Sequence, residues 1–194
     1  GIDDVGQTCS LIVQDMQPFF YVQVGELWDM RIFNLFQKEI KKKMGSSVGF
    51  LVDMEMLDHN KLYDFSGDKK FRFVKFTFKN MVGFNKVKGF WYESGKDEDG
   101  NYMRTYQPFI FQNTQLILYE SKIPPLLRYF HIQNISPSGW VEVYDHLAKQ
   151  PNLLTTTCNF EYICNMDHIK PLPSKESPVP YKIACFDIEA SSSH

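Results

Sequence analysis

Only four cysteines occur in this 194-residue chain, at Cys9, Cys158, Cys164 and Cys185, and no two of them make a C-x-x-C pair. Structural zinc sites draw on closely paired Cys and His ligands. Cys158, Cys164 and His168 are the one set that could be weighed as such a site, and buried free thiols in a reducing compartment account for the cysteines better. No apolar run reaches the roughly 18–20 residues of a membrane helix, so no membrane partner is expected. The opening GIDDVG is acidic where a secretory signal would be basic and then apolar. Neither sign of charge is in large excess: 21 Lys and Arg face 23 Asp and Glu, a net charge of -2. That excludes a globally basic nucleic-acid binder and leaves local patches open. What is plentiful is aromatic. Seventeen Phe and ten Tyr in a chain that is 43% hydrophobic rule out disorder and suit one domain, or one and a fraction. A chain that starts at Gly1 and stops at SSSH reads as an excised piece of a longer one.

The periodicity changes several times along the chain. Thr8 to Val24 is rich in β-branched and aromatic residues, interrupted at Gln17-Pro18, and predicts two strands or one bent strand. Ile32, Leu35, Phe36 and Ile40 recur at helical spacing, Lys41 to Lys43 suit a helix C-terminus, and Gly45 closes it. Ser47 to Leu57 and Lys70 to Lys79 predict further strands, the second with strict alternation. Val82 to Tyr92 predicts a helix weakened by Gly83 and Gly89. Lys96 to Gly100 is a turn, Glu120 to Ile132 a helix with a Pro pair in its first turn, and Ser138 to Val143 a strand. The expected core uses Phe20, Val22, Leu35, Phe36, Val74, Phe76 and Phe78.

Strand, helix, strand, strand, helix is the skeleton of ferredoxin-like and RNA-recognition folds. In Lys70 to Phe78, alternation places Val74, Phe76 and Phe78 on one face, and Phe71, Phe73 and Lys75 on the other. Aromatic residues beside cations on a sheet face are how such folds stack unpaired bases. From Lys69 to Lys88 there are seven Lys or Arg and no acid. Lys70, Arg72, Phe73, Lys75 and Lys79 are therefore the candidate nucleic-acid contacts. A half-buried amphipathic strand with a solvated basic edge gives the same pattern, and composition alone favours that plainer reading.

Lys170 to Pro180 holds four prolines and little apolar bulk, which predicts a linker. An apolar run follows, Tyr181 to Glu189 (YKIACFDIE), ending in two carboxylates at i, i+2. Such a pair shares one side of a strand and offers hard oxygen ligands to a divalent cation. As a bare pattern D-x-E is common at solvent-facing strand ends.

The segment FDIEAS, Phe186 to Ser191, resembles the first exonuclease motif of family B DNA polymerases, and SSSH resembles the version in polymerases of large double-stranded DNA viruses. Gln17 to Val24, Lys61 to Phe78 and Tyr119 to Trp140 resemble successive landmarks of the delta-type amino-terminal domain. The four blocks fall in the family's order over essentially the whole chain. The resemblance implies an α+β amino-terminal domain over residues 1–169, with its first strand or strands missing and a ferredoxin-like or RNA-recognition-like βαββα unit inside it. A Pro-rich linker over 170–180 follows, and then the first strand of a ribonuclease-H-like 3′–5′ exonuclease domain over 181–194.

It further implies that Asp187 and Glu189 are exonuclease metal ligands and catalytic carboxylates in the intact enzyme. Mg²⁺ or Mn²⁺ would be the cofactor there, with none expected for this chain alone. The implied partners are template and primer DNA, the remaining exonuclease and palm domains, and, as a further candidate, a sliding clamp. The implied location is intracellular, in host cytoplasm at a viral factory or in the nucleus. The other class of function is a stand-alone single-strand-binding protein of RNA-recognition type.

Overall fold

The computed structural model describes residues 1–2, 5–61 and 68–175. In chain order the elements are β1 (Cys9–Gln14), β2 (Phe19–Gln23), α1 (Met30–Met44), β3 (Leu51–Asn60), β4 (Lys70–Phe78), α2 (Met81–Lys88), β5 (Tyr92–Lys96), β6 (Tyr102–Tyr106), β7 (Phe109–Phe111), β8 (Thr114–Tyr119), α3 (Pro125–Gln133), β9 (Val141–Val143), β10 (Leu147–Ala148), β11 (Phe160–Asn165) and β12 (Ile169–Pro171). They fall into two compact units. One is residues 13–133; the other joins residues 1–12 to the chain from residue 134 onward.

In the 13–133 unit a five-stranded sheet runs β3-β4-β2-β8-β7, with every neighbouring pair antiparallel. The expected strand–helix–strand–strand–helix succession is present as β2, α1, β3, β4 and α2. Asp29 caps α1, its side chain accepting from the Ile32 N–H at 2.8 Å. Lys41, Lys42 and Lys43 occupy the last turn, where cations suit the helix dipole. Gly45 takes a φ of 57° to end the helix, and its N–H bonds the carbonyls of Lys41 and Lys42.

The helix turns Phe33, Phe36, Ile40 and Met44 inward, spaced by three and four residues. Leu35, expected in the core, is 44% exposed instead. It sits about 100° around the helix from Phe36, off the stripe that Phe33, Phe36 and Ile40 define. The other six expected core residues are fully buried. Phe20 and Phe76 face each other in register on β2 and β4, ring centroids 5.3 Å apart and nearly parallel. Phe36 meets Phe76 edge-on from the helix side at 6.0 Å. Such aromatic pairs add about 0.5–1.5 kcal/mol beyond area burial.

Several boundaries differ from the sequence reading; α3 begins at Pro125 and not Glu120, and β9 begins at Val141 and not Ser138. A 3-10 turn at Gly45–Phe50 delays β3 to Leu51. The Phe50 carbonyl there accepts from the Lys79 N–H at 2.9 Å, so this turn closes the β4–α2 corner and cannot extend the strand. Helix α2 stops at Lys88, one turn earlier than expected. Gly89–Trp91 then forms a 3-10 turn that delivers Trp91 into the core, its indole N–H donating to the Leu116 carbonyl at 2.7 Å. Tyr92 opens β5, which pairs with β6 as a separate antiparallel hairpin.

In the other unit β11 lies between β1 and β10, while β9 pairs antiparallel with β12. Lys170 and Pro171, read from the sequence as the start of a linker, pair with Glu142 and Val141 in that β9–β12 ladder. Proline is tolerated there because this two-stranded ladder leaves an edge that needs no donor. Glu161 of β11 is buried with its carboxylate satisfied on several sides. Lys149 donates at 2.7 Å, and the Thr155 and Thr156 backbone N–H groups close over it. With Lys149 as the largest cause, these donors hold its carboxyl at about 2, well below the ordinary 4.5.

Candidate nucleic-acid interface

The residues singled out on β4 divide between the two faces of the sheet. Arg72 shares the parity of Val74 and Phe76, while Phe73 and Lys75 belong to the opposite face. Arg72 is already engaged. Its guanidinium donates to both carboxylate oxygens of Asp58, at 2.9 and 3.1 Å, and to the Trp28 carbonyl at 2.6 Å. The bond from Arg72 holds the Asp58 carboxyl below its usual range.

Phe73 is only 4% exposed. Tyr119 meets it edge-on at 5.3 Å and Tyr21 at 6.2 Å, so it has no open face on which a base could stack. Lys75 lies over the Phe19 ring at 4.6 Å, in register with Glu55 on β3. Arg128 of α3 covers the other side of this region. It is buried, sits 4.4 Å over the Phe19 ring and is ion-paired with Glu120. Lys70 is exposed at the head of β4, next to Lys69, which pairs with Glu26 at 2.9 Å. Lys79 is exposed just past the strand's end. Two cations of the acid-free run, Lys69 and Arg72, are thus answered by Glu26 and Asp58 from elsewhere in the chain, a pairing that local composition does not reveal.

A different set of cations lacks that compensation. Lys88 at the end of α2, Arg104 on β6 and Lys122 after β8 come together where the β5–β6 hairpin meets the β8–α3 connection. None of the three forms a salt bridge among the described residues. Lys88 donates to the Ser121 carbonyl at 2.8 Å, and burial first, then repulsion from Lys122 and Arg104, lowers its pKa. Arg104 lies 5.6 Å over the Tyr92 ring. Its guanidinium comes within 3.1 Å of where a Cβ on Gly89 would stand, an approach that glycine permits. Beside these cations lies an open groove of about 610 Å³, whose walls include Tyr92, Tyr106, Leu118 and Leu127. Lys88 belongs to the basic run seen in the sequence. Arg104 and Lys122 do not, and the signal for Arg104 is the alternation Tyr102-Met103-Arg104-Thr105-Tyr106.

Asp187 and Glu189 lie outside the described residues. Among the described residues no group of three or more His, Cys, Asp and Glu is placed to hold a metal ion. Cys158, Cys164 and His168 are therefore not such a site: Cys164 is buried in β11, and the His168 ring faces the Asp145 carbonyl at 3.1 Å. No helix among the described residues is long and apolar enough to cross a membrane.

Comparison with known proteins places the chain. Residues 116–194 match the exonuclease domain of DNA polymerase family B. A DNA polymerase of Phaeocystis pouchetii virus is 39% identical over 197 aligned residues, which take in 100% of this chain and 19% of that protein. A DNA polymerase of Acanthamoeba polyphaga mimivirus is 27% identical over 94% of this chain and 10% of its own length. The DNA polymerase delta catalytic subunit of Dictyostelium discoideum is 33% identical over 85 residues, 44% of this chain and 7% of its own. The chain thus spans a fifth or less of each of these relatives. A stand-alone binding protein of RNA-recognition type finds no support among them. Matched along its whole length by a viral DNA polymerase and over residues 116–194 by the exonuclease domain of DNA polymerase family B, the chain is similar to a part of such polymerases.

Proposed function

We propose that this chain is the non-catalytic, template-proximal portion of a DNA-directed DNA polymerase that adds nucleotides and proofreads 3′–5′ during viral DNA replication inside the host cell. The match at 39% identity over the whole chain carries this reading. In it, the chain up to about residue 169 is the polymerase amino-terminal domain, and residues from Tyr181 onward begin the exonuclease domain. The sheet order β3-β4-β2-β8 with α1 and α2 supports a ferredoxin-like unit within the first part. Lys70, Lys75 and Lys79, none of them salt-bridged among the described residues, remain candidates for phosphate contact along the sheet.

Asp187 and Glu189 are assigned as proofreading ligands. Two carboxylates are the hard oxygen donors that Mg²⁺ and Mn²⁺ take, so the donor set suits those ions. When bound, such ions supply Lewis acidity and an activated water for phosphodiester hydrolysis. The chain's own contribution is the two carboxylates of Asp187 and Glu189. A complete site needs ligands from further segments and groups that orient them. The chain by itself is therefore expected to degrade no 3′ ends with Mg²⁺ or Mn²⁺.

The test is the Asp187→Ala/Glu189→Ala change in the intact polymerase. Loss of 3′–5′ degradation with nucleotide addition retained is the expected result. Normal proofreading by the double variant would overturn the assignment. Degradation by the isolated chain that disappears in the same double variant would overturn its inertness.

A further inference from the structure

We infer that the groove at the base of the β5–β6 hairpin is a binding site for single-stranded DNA, with Lys88, Arg104 and Lys122 meeting phosphates and Tyr106 offering a face to a base. The inference deepens the polymerase reading and rests on it for the choice of DNA; the site itself stands on the groove's charge and shape.

Charge comes first. Three cations converge beside the groove, and none of them is salt-bridged among the described residues. Glu120, which lines the groove, is committed to Arg128. Glu93 alternates to the hairpin's other face and accepts from the Gln107 amide at 2.6 Å. Asp97, Glu98 and Asp99 lie at the far end of the hairpin, where the Asp97 carboxylate takes the Asp99 and Asn101 N–H groups. Like charges gathered at one place cost free energy in the free protein. Burial first, and then repulsion from Lys122 and Arg104, lowers the pKa of Lys88, and a bound polyanion relieves the repulsion.

Shape and chemistry then select a single strand. Tyr102, Arg104 and Tyr106 alternate onto one face of β6, opposite Lys96, Ser94 and Tyr92 of β5. Tyr102 is 86% exposed and Tyr106 41% exposed. A face alternating aromatic rings with cations is the usual platform for unpaired bases, because every base has a π-face and every linkage a charge. The groove's volume of about 610 Å³ falls in the range of small-ligand sites, about 300–1,000 Å³, and is enough for part of a strand. Lys88 and Arg104 are also held in place, one by the Ser121 carbonyl and the other by stacking on Tyr92 against Gly89. Little side-chain freedom remains to be lost on binding.

The experiment titrates a fluorescently labelled oligo-dT strand into the 194-residue chain and follows anisotropy as salt is raised. Arg104→Glu/Lys122→Glu should weaken binding at least tenfold and flatten the slope of log K against log salt by about 1.4, two phosphate contacts at about 0.7 each. Arg104→Gln/Lys122→Gln gives the same direction should charge reversal disturb folding, which circular dichroism reports. Tyr106→Ala should weaken binding about fivefold or more. Lys41→Gln/Lys42→Gln, the same loss of charge on exposed positions of α1, should change it less than twofold.

No binding by the unaltered chain, or variants that leave affinity and slope unchanged, would overturn the site. Equal affinity for an abasic strand, or for heparin, would overturn the stacking role and leave a general polyanion patch. Equal affinity for blunt duplex would overturn the choice of a single strand. The polymerase reading fails separately. If the groove binds as described while the Asp187→Ala/Glu189→Ala enzyme proofreads normally, the exonuclease assignment falls and the groove stands.

Discussion

Replacing Phe76 with alanine removes a ring that is fully buried at the centre of the larger sheet. Phe20 stacks on it across the strand pair, Phe78 lies beside it at 6.2 Å, and Phe36 closes over it from α1. Returning that ring to water forfeits about 2–3 kcal/mol of transfer free energy. The neighbours are themselves large rings held by strand register and by a helix, so they close the void incompletely. If roughly 60 Å³ stays empty, at about 24 cal/mol per Å³, a further 1.5 kcal/mol is lost. The expected destabilisation is thus about 3–5 kcal/mol, a large part of the roughly 5–15 kcal/mol that holds a typical domain together.

Urea titration read by tryptophan emission is a suitable assay. Trp28 and Trp91 share the core cluster with Phe76, so two of the chain's three tryptophans report on this unit. Should the alanine variant be unfolded before denaturant is added, Phe76→Leu gives a smaller loss in the same direction. A loss below about 1 kcal/mol at unchanged slope would mean that the faces of β4 are reversed.

Two further perturbations probe the fold. A Cβ at position 83 would stand 2.6 Å from the Phe50 Cβ and 3.2 Å from its carbonyl. Gly83→Ala, a change that gains about 1 kcal/mol inside an ordinary helix, should here cost about 1–3 kcal/mol in the same urea assay, and a gain would refute the close approach of α2 to the 45–50 turn. The Glu161 carboxyl is held at about 2 against 4.5, so its ionised form stabilises the fold fully above about pH 4.5 and progressively less as pH falls toward 2. Glu161→Gln should flatten the acid side of the melting-temperature profile over that window, and an unchanged acid side would refute the role of the Lys149 and Thr156 clasp.

Some of this was legible in the sequence because the signals are local. The alternation of Lys70 to Phe78 places Val74, Phe76 and Phe78 on one face without reference to any other strand, and Lys41 to Lys43 and Gly45 mark the end of α1 by local chemistry alone. Leu35 failed because three apolar neighbours at helical spacing fix the stripe only once Phe33 is counted with them. The surroundings of the basic patch were hidden for a non-local reason. Asp58 reaches Arg72 through the pairing of β3 with β4, which also sets Glu55 in register with Lys75, and Tyr119 packs on Phe73 from a strand far along the chain. The hairpin groove stayed hidden for the same reason. Arg104 and Lys122 become neighbours of Lys88 only when β5, β6 and β8 are assembled, and Tyr102 to Tyr106 is too short and too exposed to mark a core strand. The family resemblance, by contrast, rests on blocks read in order and needed no tertiary contact.

Thr8 and Asn159 are joined by side-chain and backbone hydrogen bonds across a separation of 151 residues. A ribosome adding about 5–20 residues per second needs about 8–30 s to make the second partner after the first. Throughout that interval the amino-terminal strand has emerged and its sheet neighbour does not yet exist. All five strands of the larger sheet, by contrast, are synthesised before β11. The order of synthesis therefore completes the larger sheet first and leaves the β1 edge that β11 covers without that partner until β11 is made. Such an edge is a template for wrong pairing until its partner arrives, so slow codons before Asn159 lengthen the time for which this protein is open to misassembly.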